Sequence, residues 1–366
     1  MSRGMRRIGV LSSGGDAPGV NAVIRAVVKT ASRVYGWTVI GIEDGFEGLL
    51  PPTRTRALAL DDVRGFLPRG GSMLGCSSRG HFAVRPDDGQ TVRHERAYRE
   101  AVASTERLGL DALVVIGGEG SQRIAYELSR LGVPIVGIPK TIDNDLPGTD
   151  LTFGFDTALD IATEAIDRLH TTAESHHRVL LVEVMGRHAG WIALQAGVAG
   201  GADIILIPEI PFHVEKAAAK VKEREAQGRL FSILVVAEGA RPAGGALVYQ
   251  DPGGSDRAPR LGGIAARVSD EIERLTGRES RVVVLGHLQR GGSPTAFDRL
   301  LASCYGSAAV RAVAEGRIGH IVAWQGNEPV TVPFERVIQQ VRVVPPGHHL
   351  LRVARDLGIT FAGDDD

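Results

Sequence analysis

Short apolar runs rich in valine, isoleucine and leucine recur along the chain. Segments whose apolar residues return every three or four positions separate them. The runs at residues 7–11, 38–42, 112–116, 134–138, 178–184, 203–207, 232–237 and 281–285 have glycine, proline or polar residues at their borders, as buried strands do. Residues 19–32, 95–108, 157–172, 214–226 and 263–274 carry the helical period. Strands alternating with helices predict crossover units, so the fold class is α/β with mainly parallel sheets covered by helices on both faces. Eight strands suit two sheets better than one. The Gly- and Pro-rich stretch 242–258 reads as a surface loop, and no internal repeat is visible.

A chain of 366 residues exceeds the usual size of one domain, so two core-forming lobes are expected. Hydrophobic residues make up 43% and charged residues 23%, in keeping with a well-packed globular protein. The 42 basic residues balance 43 acidic ones. Neither nucleic acid nor an anionic membrane is therefore an expected partner, and anion binding must come from local clustering. Cys76 and Cys304 are too few for a disulfide framework, and a reducing cytoplasm is the expected compartment. The glycines that follow residues 8–11 spoil a signal-peptide core, and no apolar run is long enough to span a bilayer.

Ligands of such sheets sit beyond the carboxyl ends of the strands, and the polar and Gly-rich clusters read as lying there. The first is Ser12-Ser13-Gly14-Gly15-Asp16-Ala17-Pro18-Gly19, a strand-to-helix turn where backbone N–H groups can approach a phosphate. It matches neither the P-loop nor the dinucleotide fingerprint. The second, Gly117-Gly118-Glu119-Gly120-Ser121, sets a carboxylate, a ligand type suited to Mg²⁺, among glycines able to admit polyphosphate oxygens. The third is Pro139-Lys140-Thr141-Ile142-Asp143-Asn144-Asp145. An alcohol attacking phosphorus must lose its proton, and an aspartate within reach can take it. The fourth is a set of cations read as following strands: Arg178, Arg187 with His188, Arg281, and His287 with Arg290. Guanidinium groups grip phosphate with paired donors. Glu238, closing the run 232–237, is a candidate acceptor for sugar hydroxyls. Each cluster alone also fits an ordinary turn, helix cap or solvated charge.

Together these segments resemble the 6-phosphofructokinase family over nearly the whole chain. The resemblance rests on Gly14-Gly15-Asp16-Ala17-Pro18-Gly19-Val20-Asn21, Gly117 to Ser121, Thr141 to Asp145 and Glu183-Val184-Met185-Gly186-Arg187. It continues through Gly286-His287-Leu288-Gln289-Arg290-Gly291-Gly292-Ser293-Pro294 and Asp298-Arg299-Leu300-Leu301-Ala302-Ser303, six segments in family order. It implies two Rossmann-like α/β/α lobes with the active site in the cleft between them. Residues 1–153 with 289–340 would form the larger, nucleotide-phosphate lobe; residues 154–288 with 341–366 would form the smaller, sugar-phosphate lobe. It implies phosphorylation of fructose 6-phosphate at its 1-hydroxyl, the committed step of glycolysis. Asp143 would be the base, and Arg187 would stabilise the transferring phosphoryl group. Thr141, Asp145, Met185, Gly186, Glu238, His287 and Arg290 would contact the sugar phosphate. Arg178 and Arg281 match arginines that reach that phosphate from a neighbouring subunit, implying a homotetramer or homodimer with shared sites. Gly14, Arg79, Gly118, Glu119, Gly120, Ser121 and Lys140 would hold ATP, with Glu119 near Mg²⁺.

The family divides into ATP users and pyrophosphate users. Gly120 is the ATP-type residue, leaving room for the α-phosphate where pyrophosphate users carry an aspartate. Lys140 is the pyrophosphate-type residue. This pairing is similar to a mixed subgroup that uses ATP, and ATP is the expected donor, because steric and like-charge exclusion outweighs an added lysine. Arg79 follows a segment one residue longer than the family's usual spacing. Arg25, Lys29 and Arg229 match cations of the family's effector site, whereas His170 and Gln227 replace stronger ones. Alternatives are a reversible pyrophosphate-dependent enzyme, a kinase for another ketose phosphate such as sedoheptulose 7-phosphate, a nicotinamide-dependent oxidoreductase and an inactive regulatory subunit. Missing fingerprint glycines oppose the oxidoreductase, and intact Asp143 and Arg187 oppose the inactive subunit.

Overall fold

The computed structural model describes residues 6–77, 80–82, 91–251 and 260–364. The chain forms two compact units. One comprises Met1–Ile142, Leu146–Thr157 and Arg290–Gln340; the other comprises Asp143–Asp145, Ala158–Gln289 and Val341–Asp366. These divisions fall after residues 157 and 289, where 153 and 288 were expected, and the short segment 143–145 groups with the second unit.

In chain order the first stretch carries β1 (Arg7–Ser12), α1 (Val20–Tyr35), β2 (Thr38–Ile42), β3 (Thr55–Leu58), α2 (Thr91–Arg107), β4 (Ala112–Gly117), α3 (Glu119–Arg130) and β5 (Ile135–Pro139). The helix α4 (Phe155–His176) leads into β6 (Val179–Val184), α5 (Trp191–Ala199), β7 (Ile204–Leu206), α6 (Val214–Ala226) and β8 (Ser232–Ala237). Then come β9 (Tyr249–Asp251), β10 (Arg260–Leu261), α7 (Ile264–Thr276) and β11 (Ser280–Val284). The last elements are α8 (Ala296–Ala314), β12 (His320–Gln325), β13 (Glu328–Pro333) and α9 (His349–Asp356).

The first unit holds a seven-stranded sheet in the order β13-β12-β5-β4-β1-β2-β3. Its centre is parallel, and only β13 and β3 at the two edges run antiparallel to their neighbours. Residues 113–116 of β4 are fully buried, as a central strand covered on both faces requires. The second unit holds an all-parallel sheet, β11-β6-β8-β7. Each unit has its own apolar core. Leu11, Leu113, Val115 and Phe334 belong to the first, and Leu181, Leu206, Leu234 and Ile272 to the second. Burying each such side chain is worth about 1.5–3 kcal/mol relative to exposure.

The stretch expected as a loop, 242–258, contains β9, which pairs antiparallel with β10 through Tyr249↔Leu261 and Asp251↔Arg260. Among the described residues no helix is long and apolar enough to cross a membrane.

Candidate active site

In the first unit β5, β4 and β1 are adjacent and parallel, so three of the sequence clusters meet at one sheet edge. Ser13 N–H donates to Ile116 O at 2.9 Å, and Lys140 N–H donates to Gly117 O at 2.9 Å. These bonds join the turn holding Gly14, the turn holding Gly118 to Ser121, and the segment Lys140–Thr141. A residue that sequence reading missed locks the arrangement. The fully buried Gln122 donates through Nε2 to Gly117 O and to Ile138 O, both at 2.9 Å. A single glutamine in helix α3 thereby holds two strand ends together; its pairing with Ile138, 16 residues away, leaves no local pattern.

Lys140 is 2% exposed, and its Nζ donates to Ser12 Oγ at 2.9 Å, with Cys76 Sγ at 3.5 Å. Burial lowers its pKa. Glu119 opens helix α3, where the dipole favours negative charge, and its partly exposed carboxylate pairs with Arg123 one turn on. Gly120 is the second residue of α3, and a Cβ built there meets nothing within 4 Å. Neither backbone shape nor packing calls for glycine, although glycine in a helix costs about 0.5–1 kcal/mol relative to alanine. Gly15 is different: a Cβ there would lie 2.8 Å from Arg290 Nη1, so the missing side chain lets the guanidinium lie over the turn. Arg290 also donates to Asp16 O at 3.1 Å. Arg79 lies outside the described residues.

In the second unit β11, β6 and β8 are adjacent and parallel, so their carboxyl ends share one edge. Glu238 N–H donates to Val184 O at 2.9 Å, and Gly239 N–H donates to Gly186 O at 3.1 Å. Leu285 N–H donates to Glu183 O at 3.0 Å. Met185, Gly186, Arg187, Glu238 and His287 therefore belong to one rim. The fully buried Gln289 accepts from Met185 N–H at 2.8 Å and ties the turn carrying His287 to the segment carrying Arg187.

Asp143 and Asp145 flank Asn144, whose backbone is left-handed at φ 50°, a conformation that asparagine tolerates. Arg342 N–H donates to Asp145 O at 2.7 Å, and its guanidinium donates to Asn144 O at 3.3 Å. The same guanidinium stacks over the Trp191 ring, 4.8 Å from its centroid. Nothing near Arg342 in sequence marked it as the clasp on this turn.

Arg178 and Arg281 do not follow strands, as the sequence had suggested. Arg178 precedes β6, and Arg281 is the second residue of β11, in register with Leu180. They lie at the amino ends of strands whose carboxyl ends carry Met185 and His287, about 20 Å away along a six-residue strand. The structure brings them to each other: both pair with Glu279, Arg178 at 2.7 Å. The Arg178 hydrogen bond lowers the pKa of Glu279. Of the effector-site candidates, Lys29 has its pKa lowered chiefly by Arg25 beside it. The His170 ring is engaged with Gly200 O at 2.6 Å.

The comparisons with known proteins point one way. The phosphofructokinase family pattern matches residues 7–313. A protein of Chloroflexus aggregans named ATP-dependent 6-phosphofructokinase is 59% identical over 365 residues, covering all of both chains. An Amycolatopsis methanolica protein named pyrophosphate–fructose 6-phosphate 1-phosphotransferase is 50% identical, covering 93% of this chain and 96% of that one. The crystal structure of Pichia pastoris phosphofructokinase superposes with a TM-score of 0.79 at 32% identity, over 97% of this chain and 39% of that longer one. Pattern, curated relatives and fold agree, and the chain belongs to the phosphofructokinase family.

Proposed function

We propose that this protein transfers the terminal phosphoryl group of ATP to the 1-hydroxyl of fructose 6-phosphate. The observation that carries the choice of donor is Gly120, a helix residue with open space where its side chain would stand. An aspartate there would crowd and repel an α-phosphate; its absence keeps the position open to a nucleotide. The 59% relative is named for ATP, which supports this reading against the 50% relative named for pyrophosphate.

In this reading the first unit handles the donor. Backbone N–H groups of the Gly14 and Gly118–Ser121 turns cradle phosphate oxygens, and Lys140 supplies a fixed ammonium beside them. Mg²⁺ would suit the donor set: Glu119 offers a partly exposed carboxylate beside the glycine turn, and phosphate oxygens and water would supply the remaining hard oxygen ligands. An ion there would offset phosphate charge, with the Glu119 carboxylate, now paired with Arg123, as its protein ligand.

The second unit handles the acceptor. Asp143 accepts the proton of the 1-hydroxyl as that oxygen attacks phosphorus, and the bond from phosphorus to the ADP oxygen breaks. Arg187 balances the charge on the transferring oxygens, the dominant contribution in such chemistry. Glu238 and Asp145 take sugar hydroxyls, while Met185, Gly186 and His287 bound the sugar phosphate; Thr141 and Arg290, assigned to that phosphate by the family resemblance, belong to the first unit. Arg178 and Arg281 lie at the far strand ends, which supports their serving a neighbouring copy's sugar in a homo-oligomer. The cytoplasm, where ATP and the sugar phosphate are present, is the proposed compartment.

The test is an assay grid of ATP and pyrophosphate against fructose 6-phosphate and sedoheptulose 7-phosphate. The expected result is fastest turnover with ATP and fructose 6-phosphate. Pyrophosphate rates well above those with ATP would overturn the donor assignment.

A further inference from the structure

The second unit contains a cavity of about 420 Å³ whose lining shares only Arg187 with the residues assigned above to the sugar. Its size falls among small-molecule pockets, about 300–1,000 Å³. Arg187, His188 and Arg241 bring basic groups to its wall, and Leu247, Val343 and Val344 make part of it apolar.

The charge at this wall is not balanced from within. Arg187 and Arg241 are exposed, and neither side chain has a hydrogen bond or ion pair among the described residues. Among the described residues Glu209 is the only carboxylate in the lining, and backbone donors occupy it. Its Oε1 accepts from Val344 N–H at 2.8 Å and Gly190 N–H at 3.0 Å; its Oε2 accepts from Gly190 N–H at 3.1 Å. Burial raises the pKa of Glu209. Two guanidinium forks and an imidazole around one opening match the several oxygens of a phosphate, and the apolar wall suits an organic body.

The cavity also touches the catalytic apparatus in two ways. Arg187 stands in its wall, and Val343 and Val344 follow Arg342, whose N–H holds Asp145 O at 2.7 Å. We propose that the cavity is a second ligand site, for a small organic phosphate monoester, whose occupant competes with the transferring phosphoryl group for Arg187. The coupling to turnover rests on the role given to Arg187 above; binding itself does not.

Phenyl phosphate and inorganic phosphate are the probes, titrated calorimetrically into the full-length wild type and the variants Arg241→Met, His188→Gln and Arg290→Ala. Arg241→Met and His188→Gln should each weaken phenyl phosphate by about tenfold, the loss of a charge-assisted contact, while Arg290→Ala should leave its affinity intact. Two substitutions in the wall keep the test alive should one variant fail to fold. In steady-state assays phenyl phosphate should lower kcat while leaving KM for fructose 6-phosphate nearly unchanged, and Arg241→Met should require about tenfold more of it. Equal binding by wild type and both wall variants would overturn the site, as would loss of binding in Arg290→Ala alone, which would locate the probe at the sugar phosphate. Inorganic phosphate binding as tightly as phenyl phosphate would refute the organic monoester. Should the protein phosphorylate no sugar, the calorimetric arm would still decide the cavity.

Discussion

Lys140 Nζ donates a hydrogen bond to Ser12 Oγ at 2.9 Å across 128 residues of sequence, with the lysine side chain wholly enclosed. An ammonium held where burial lowers its pKa works against stability, and the proposed function gives it a purpose beside the donor phosphates. Lys140→Met should lower kcat/KM for the donor by about tenfold or more, with KM for the sugar nearly unchanged. The melting temperature should hold or rise, because a buried cation is replaced by an apolar group of similar length. A fall in melting temperature with donor kinetics intact would show the lysine to be structural.

Gly120→Asp tests the donor from the opposite side. The position lies in the first turn of α3 with open space around it, so an aspartate fits without strain. Like-charge repulsion of several kcal/mol should then reduce ATP turnover by about a hundredfold more than pyrophosphate turnover. Equal losses with both donors would remove the argument from Gly120.

Asp143→Asn removes the proposed base and keeps the shape of the turn. Loss of a positioned proton acceptor should cut kcat by about 10²–10⁴, with sugar binding changed only a few-fold. Near-normal turnover would exclude Asp143 from proton transfer.

Gln289→Leu strips the acceptor from Met185 N–H, leaving a buried donor unsatisfied at a cost of about 1–3 kcal/mol. As a positioning residue it should raise KM for fructose 6-phosphate about fivefold or more, beyond any change in kcat. A purely structural role would lower the unfolding midpoint and leave KM alone.

Asp298 provides a pH signature. It is fully buried and accepts from Gly154 N–H and Thr157 N–H, both at 2.8 Å, at the start of α4. Burial pushes its pKa up from 3.8 to about 6. The folded state thus binds the proton more tightly than the unfolded state. This contribution to stability is fully present below about pH 4 and is lost as the pH rises through about 6. Chemical denaturation between pH 4 and 7 should show a wild-type gain toward the acid side of up to about 3 kcal/mol from this group. Asp298→Asn should lack it. Parallel pH profiles in the two proteins would refute the assignment.

Much of the site was legible locally. Apolar runs ending in Gly-Gly or Asp-Asn-Asp predict a buried strand followed by a turn, and β1, β4 and β5 lie within a residue or so of the expected limits. Elements lacking such contrast were missed. The segment Trp191–Ala199 is apolar nearly all round and shows no stripe, while β12 and the edge strand β13 alternate weakly. Helix α3 was missed because its first residues belong to the glycine motif.

Sequence by itself determined where glycine-rich and acidic turns follow buried strands, because turn chemistry and strand burial are set by neighbouring residues, and it supplied the candidates for proton and charge transfer. Tertiary structure alone decided which of them meet. It made Gln122 the clasp of the turns in the first unit and Gln289 and Arg342 the clasps of those in the second, and it paired Arg178 with Arg281 on Glu279 at the opposite strand ends. The physical reason is strand order: β11, β6 and β8 become neighbours only when the sheet assembles, and contacts made across 104 residues leave no mark on the local pattern.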